Sequence, residues 1–306
     1  MVGLLVAKLV AFFLIMAAGF ALVKSKILAP QDIRGLARIT LYLVIPCVTL
    51  RAFQVEMTSA IGKGLLLSFA AAVVIHILLI ASIAPMRKFL HLNEVEILSV
   101  IYPNAGNLTV PLVAATLGWE YVIYTSCFLT VQQFLLWSHG RMLMQNEKTW
   151  DWKKIFFNVN ILAVLAGIVV LITQVRFPEA VKDAVYSVAD MVGPVTMLIG
   201  GILLGSTHLN DLKHYRKWWQ VVVLRLVVVP LVAVAVIRLS GAANLIADGT
   251  NILMVTLFAI LTPPATTLTL MAEVYHKDAI YANLLNVAST VLFLVTMPFV
   301  TALYLR

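Results

Sequence analysis

Several residues inside one apolar run have types that hydrocarbon does not accommodate. In "IYPNAGNLTVPLV", residues 101–113, Pro103 and Asn104 are followed by Gly106 and Asn107. Proline removes a main-chain donor and crowds the carbonyl one turn earlier, so it kinks or breaks a helix. The two amides bring donors and acceptors that lipid cannot satisfy. Such groups are tolerated in a span only where they face protein or a water-filled cavity. A second run, "ILTPPATTLTLMA", residues 260–272, holds Pro263, Pro264, Thr266 and Thr267. With Pro103 set against Pro263, "PNAGNLT" faces "PPATTLT" and four of seven residues agree.

The chemistry this suggests is anion binding. After each proline a half-helix starts with unpaired N–H groups and the positive end of its dipole. Two such ends brought together favour an anion, most simply a carboxylate. Asn104, Asn107, Thr266 and Thr267 add neutral hydrogen-bonding groups.

Charged residues within spans are further candidates. Asp190 is a candidate for holding a proton or a coupling cation, or else a shallow carboxylate paired with a neighbour. Arg225 could attract the anion or stand in for a sodium ion; the plainer readings pair it with Asp190 or with broken-helix carbonyls. His76 could carry a proton, or simply bond between helices. Lys8 reads as a snorkelling residue and Cys47 and Cys127 as small buried hydrophobes. The sequence has no HExxH, no nucleophile–base pair at depth and no GxxxxGK[ST] loop, which argues against an enzyme and against a primary pump. No cofactor or metal is expected; proton or sodium coupling stays open.

These residues need elements to hold them. The chain has 306 residues, 62% hydrophobic and 12% charged. Soluble domains carry about twice that share of charge. Apolar runs of membrane-spanning length recur along the chain, so an all-α, multi-pass membrane protein is expected. Ten spans are predicted, near 4–23, 33–53, 62–85, 95–118, 120–143, 157–175, 183–206, 217–239, 250–273 and 279–304. The +8 net charge reads as topology rather than affinity for nucleic acid. Loops after the odd-numbered spans carry 14 of the 22 Lys and Arg, and the other side carries 6. The 14-residue side is therefore placed in the cytoplasm and both termini outside. Trp150, Trp152, Trp218 and Trp219 suit cytoplasmic-interface anchors. The N-terminal run reads as the first span, not a removed signal peptide.

A break near 146–156 divides the spans five and five: a first repeat over 1–145, a short cytoplasmic linker and a second repeat over 157–306. Related halves with an odd number of helices must insert in opposite directions, the inverted repeat of many secondary transporters. Spans 4 and 9, broken at Pro103 and Pro263, are then expected to cross near the midplane.

The set of motifs resembles the auxin efflux carrier family, which includes plant auxin exporters and bacterial malonate and malate permeases. "PNAGNLTVPLV" matches its fourth helix at Pro103, Asn104, Pro111 and Leu112. "FNVNILAVLAG" matches its sixth at Asn158, Asn160 and Gly167, with Val159 where the plant proteins have proline. Ile45 and Pro46 match the second helix, and Pro263, Ala272 and Tyr275 the ninth. The resemblance implies a scaffold of helices 1, 2, 6 and 7 and a transport domain of helices 3–5 and 8–10. It also implies elevator-type alternating access, a homodimer through the scaffold, and substrate contacts from Asn104 and Asn160. An acidic residue early in the third helix of the plant exporters is absent, since "AIGKGLLLSF" carries Lys63 instead. The expected function is secondary active transport of small carboxylates across the cytoplasmic membrane. A cation/proton antiporter or an anion channel of similar design is the alternative.

Overall fold

The computed structural model describes residues 2–29, 32–145, 157, 159–207 and 209–306. The expected linker 146–156, with Trp150 and Trp152, and Asn158 of the sixth-helix motif lie outside the described residues. The fold is all-α. Among the described residues the single strand-like feature is an antiparallel bridge between Pro103 and Pro264.

The longer helical segments, several of them in pieces, follow in chain order, with short 3-10 turns at Leu209–His214 and Ala242–Asn244 between them. The segments are α1 (Val2–Lys24), α2 (residues 33–52), α3 (Ser59–Leu90), α4 (residues 94–116) and α5 (residues 119–145). They continue as α6 (Val159–Thr173), α7 (Glu179–Ser206), α8 (Trp218–Ser240), α9 (residues 249–274) and α10 (Ala279–Leu305). Among the described residues, five helices are long and apolar enough to cross a membrane: Gly35–Ala52, α3, α7, α8 and α10. Four shorter apolar helices lie in α1, α4, α6 and α9.

Local chemistry sets the ends. Asn93 opens α4 with a capping box, its side chain accepting from the Glu96 N–H while Glu96 accepts from the Asn93 N–H. Asp278 caps α10 by accepting from the Tyr281 N–H at 2.8 Å. The link from α3 turns at His91, whose φ of 51° ends the helix in the left-handed region.

Four π-turns interrupt the helices among the described residues: Thr40–Val44, Ala105–Thr109, Leu136–Gly140 and Leu224–Val228. Pro46, Pro111 and Pro230 each stand two residues past one of them. Proline offers no N–H to the carbonyl one turn back, and its ring crowds that carbonyl; the wider turn relieves both. The same turns hold Leu41, Gly106, Asn107 and Arg225.

α1 and α7 pack at backbone distance. A Cβ at Gly201 would fall 1.9 Å from the Met16 carbonyl oxygen, and one at Gly19 2.5 Å from that of Leu198. Small residues permit this approach between membrane helices. One continuous core, with Ile97, Leu98, Ile101, Leu112, Phe128, Phe258 and Leu261 buried, surrounds the interruptions of α4 and α9.

Candidate binding site

The first piece of α4, Glu94–Ile101, stops before Pro103, and Tyr102 is extended. The first piece of α9, Gly249–Leu261, stops before Pro263, and Thr262 is extended. The two extended stretches run antiparallel and are joined by two main-chain bonds. The Asn104 N–H donates to the Pro263 carbonyl at 2.8 Å, and the Ala265 N–H donates to the Tyr102 carbonyl at 2.9 Å.

The register of the contact differs by one residue from the register of the aligned letters. Pro103 faces Pro264, not Pro263. The first helical pieces end at Ile101 and Leu261, in step with the pairing of "PNAGNLT" and "PPATTLT". Helix resumes at Ala105 in one strand and Thr266 in the other, so the second interruption is one residue longer. That residue moves the contact from Pro263 to Pro264.

Beside the bridge lies a small cavity of about 50 Å³, open on one side. Pro103, Asn104, Gly106 and Asn107 line it from α4, Ile45 from α2, Asn160 from α6 and Thr267 from α9. A Cβ on Gly106 would meet nothing closer than Leu129 at 3.7 Å, so this glycine keeps cavity volume open rather than avoiding a clash. Pro263, Pro264 and Thr266 are not in the lining; they support it. Pro263 accepts from Asn104, Pro264 forms the bridge, and Asn107 Nδ2 donates to Thr266 Oγ1 at 3.4 Å.

Sequence reasoning missed the supporting amides. Gln132 Nε2 donates to the Pro103 carbonyl at 2.6 Å, and Asn286 Nδ2 donates to the Pro264 carbonyl. Both are buried. Each proline carbonyl of the bridge thus receives one amide, from α5 and from α10. Thr130 and Gln133 also face the cavity. The available signal was a pair of glutamines, "TVQQF", inside an otherwise apolar span. No Asp or Glu is among the lining residues. The mouth continues into a wider opening lined by Tyr42, Trp137, Leu270 and Tyr275, sharing Leu41, Asn160 and Thr267 with the cavity.

A family model described as "Membrane transport protein" matches residues 4–150 and 146–301. The chain belongs to the membrane transport protein family. This is the family of the auxin efflux carriers, and it is one of transporters rather than enzymes. A search of curated proteins finds no match. With its apolar helices, membership makes the chain a multi-pass membrane protein with a role in membrane transport.

In this membrane transport protein the three charged or titratable candidates stand away from the cavity. Asp190 pairs with Arg51, Oδ1 to Nη1 at 2.7 Å, and not with Arg225. The Arg51 guanidinium also lies 3.5 Å from the centre of the Trp119 ring and 4.5 Å from that of Tyr186. His76 is buried, with Nδ1 2.7 Å from the Ala72 carbonyl and its ring 4.8 Å from Phe128. Arg225 is wholly buried and bonds to main-chain carbonyls of α4 and α9.

Proposed function

We propose that this protein is a secondary active transporter of small organic anions, carboxylates first among them. The observation that carries the reading is the cavity beside the Pro103–Pro264 bridge, lined by neutral amides and hydroxyls with no carboxylate among its lining residues. A neutral donor-rich wall beside helix starts favours a small anion. A cation/proton antiporter would place carboxylates there, and the lining speaks against it.

In this reading all ten segments cross the cytoplasmic membrane as two inverted five-helix repeats, and α4 and α9 cross near mid-depth. Two features support the repeat: each bridge strand donates one main-chain bond to the other, and each bridge proline receives one amide. Helices α1, α2, α6 and α7 serve as scaffold and form the homodimer, while α3–α5 and α8–α10 carry the substrate in an elevator motion. The wide mouth lies among the start of α2, the end of α5, the start of α6 and the end of α9. The positive-inside reading puts these ends in the cytoplasm and both termini outside. The conformation is then open to the cytoplasm, with the Asp190–Arg51–Trp119 group near the outer surface.

The test is flux of malonate and malate in proteoliposomes, with counterflow to separate a carrier from a channel. Saturable, counterflow-competent uptake that falls in both Asn104→Ala and Pro263→Ala is expected. Uptake unchanged by both substitutions rules the reading out.

A further inference from the structure

Arg225 is the part of the crossing that the cavity leaves unused. It stands in the π-turn Leu224–Val228 of α8 and is 0% exposed. Its Nε donates to the Thr262 carbonyl at 2.9 Å, Nη1 to that of Val100 at 2.8 Å, and Nη2 to that of Ile260. It forms no ion pair with a carboxylate among the described residues.

Each of these carbonyls is orphaned by the interruptions. In a continuous helix the Ile260 oxygen would accept from residue 264, which is a proline without an N–H. The Val100 oxygen would accept from Asn104, whose N–H is committed to Pro263 across the bridge. The Thr262 oxygen lies in the extended link before Thr266 restarts the helix. Three converging main-chain oxygens at the negative ends of two helices are a hard-cation environment. In transporters built on interrupted helices, such ends hold a sodium ion or a proton-linked group.

We propose that Arg225 is a built-in cation: its guanidinium fills the place a coordinated metal ion would take between the carbonyl ends of α4 and α9. Arginine does not deprotonate in proteins, so the place stays occupied throughout any cycle. The negative helix ends are neutralised by a residue outside the cavity lining, leaving the positive N–H ends to set the field within the cavity. This electrostatic consequence rests on the anion-transport reading, whereas the cation site is testable without substrate.

The experiment removes the side chain and offers metals instead. Purified wild type, Arg225→Lys and Arg225→Ala are melted in choline, sodium and potassium chloride at equal ionic strength. The alanine variant is expected to melt lowest in choline and to recover by several degrees, saturably, in sodium or potassium. Wild type and the lysine variant should not distinguish the salts. An alanine variant equally unstable, or equally unrecovered, in all three salts overturns the assignment. Anion flux is then measured in the same salts, where flux of the alanine variant should acquire dependence on the stabilising cation. Absence of anion flux in wild type counts against the transport reading and leaves the melting result to decide the cation site.

Discussion

The Gln132 side chain donates to the Pro103 carbonyl at 2.6 Å, from α5 into the interruption of α4. Both partners are buried, at the edge of the cavity. Replacing Gln132 with leucine strands that carbonyl, and an unpaired buried polar group costs about 1–3 kcal/mol. Gln132→Leu should therefore lower the thermal midpoint. A midpoint equal to wild type would mean that another group, or water, takes the place of the amide.

Asn104 behaves differently because its main chain and side chain have separate tasks. The N–H bonds to Pro263, which no side-chain change removes, whereas the amide lines the cavity with no hydrogen bond among the described residues. Asn104→Ala should change stability by less than about 1 kcal/mol and weaken anion affinity about tenfold, near the value of one hydrogen bond to a charged group. Calorimetric titration with the transported anion reads this directly. Unchanged affinity would remove Asn104 from the site.

The α1–α7 contact predicts unequal costs at adjacent glycines. A methyl group at Gly201 meets the Met16 carbonyl at 1.9 Å, backbone that cannot step aside. At Gly200 it meets only the Met16 terminal methyl at 3.3 Å, which can rotate away. Gly201→Ala should cost at least about 2 kcal/mol through overpacking, and Gly200→Ala under about 1 kcal/mol. Comparable midpoints for the two variants would contradict this packing.

Proton coupling can be tested at the two groups that sequence singled out for it. Asp190 is an exposed carboxylate already held by Arg51, and such a pair is worth about 0–1 kcal/mol. His76 is buried against Phe128 of α5 and is not among the cavity's lining residues. Asp190→Asn and His76→Phe should each leave the pH profile of flux in place. A flattened profile in either would restore that residue as a proton carrier.

The limits of the sequence follow from particular residues. The all-helical class was legible because apolar runs of spanning length have few other uses. Pro103, Asn104, Gly106 and Asn107 stood out because hydrocarbon penalises them, and Asn160 and Ile45 came only through resemblance; all six line one cavity. The register at the bridge was not legible. Matching letters favoured Pro103 with Pro263, and identity gives no sign of an extra residue between Leu261 and Thr266. The partners of Arg225 were legible as a class, since broken-helix carbonyls stood beside Asp190 among its readings, but main-chain carbonyls carry no signature that names Val100, Ile260 and Thr262. Arg51 and Asp190 lie 139 residues apart, and nothing in their flanks announces the pairing.

The two rungs of the bridge have a genetic consequence. Both are made by peptide groups, so the crossing is nearly invisible to alanine scanning: no ordinary side-chain swap at Asn104 or Ala265 deletes a rung. Proline does, and so does an ester introduced by nonsense suppression, which replaces the donor with oxygen. A scan of these stretches read by thermal stability would thus report tolerance at positions whose amide hydrogens tie α4 to α9, with proline alone among the natural residues revealing the tie.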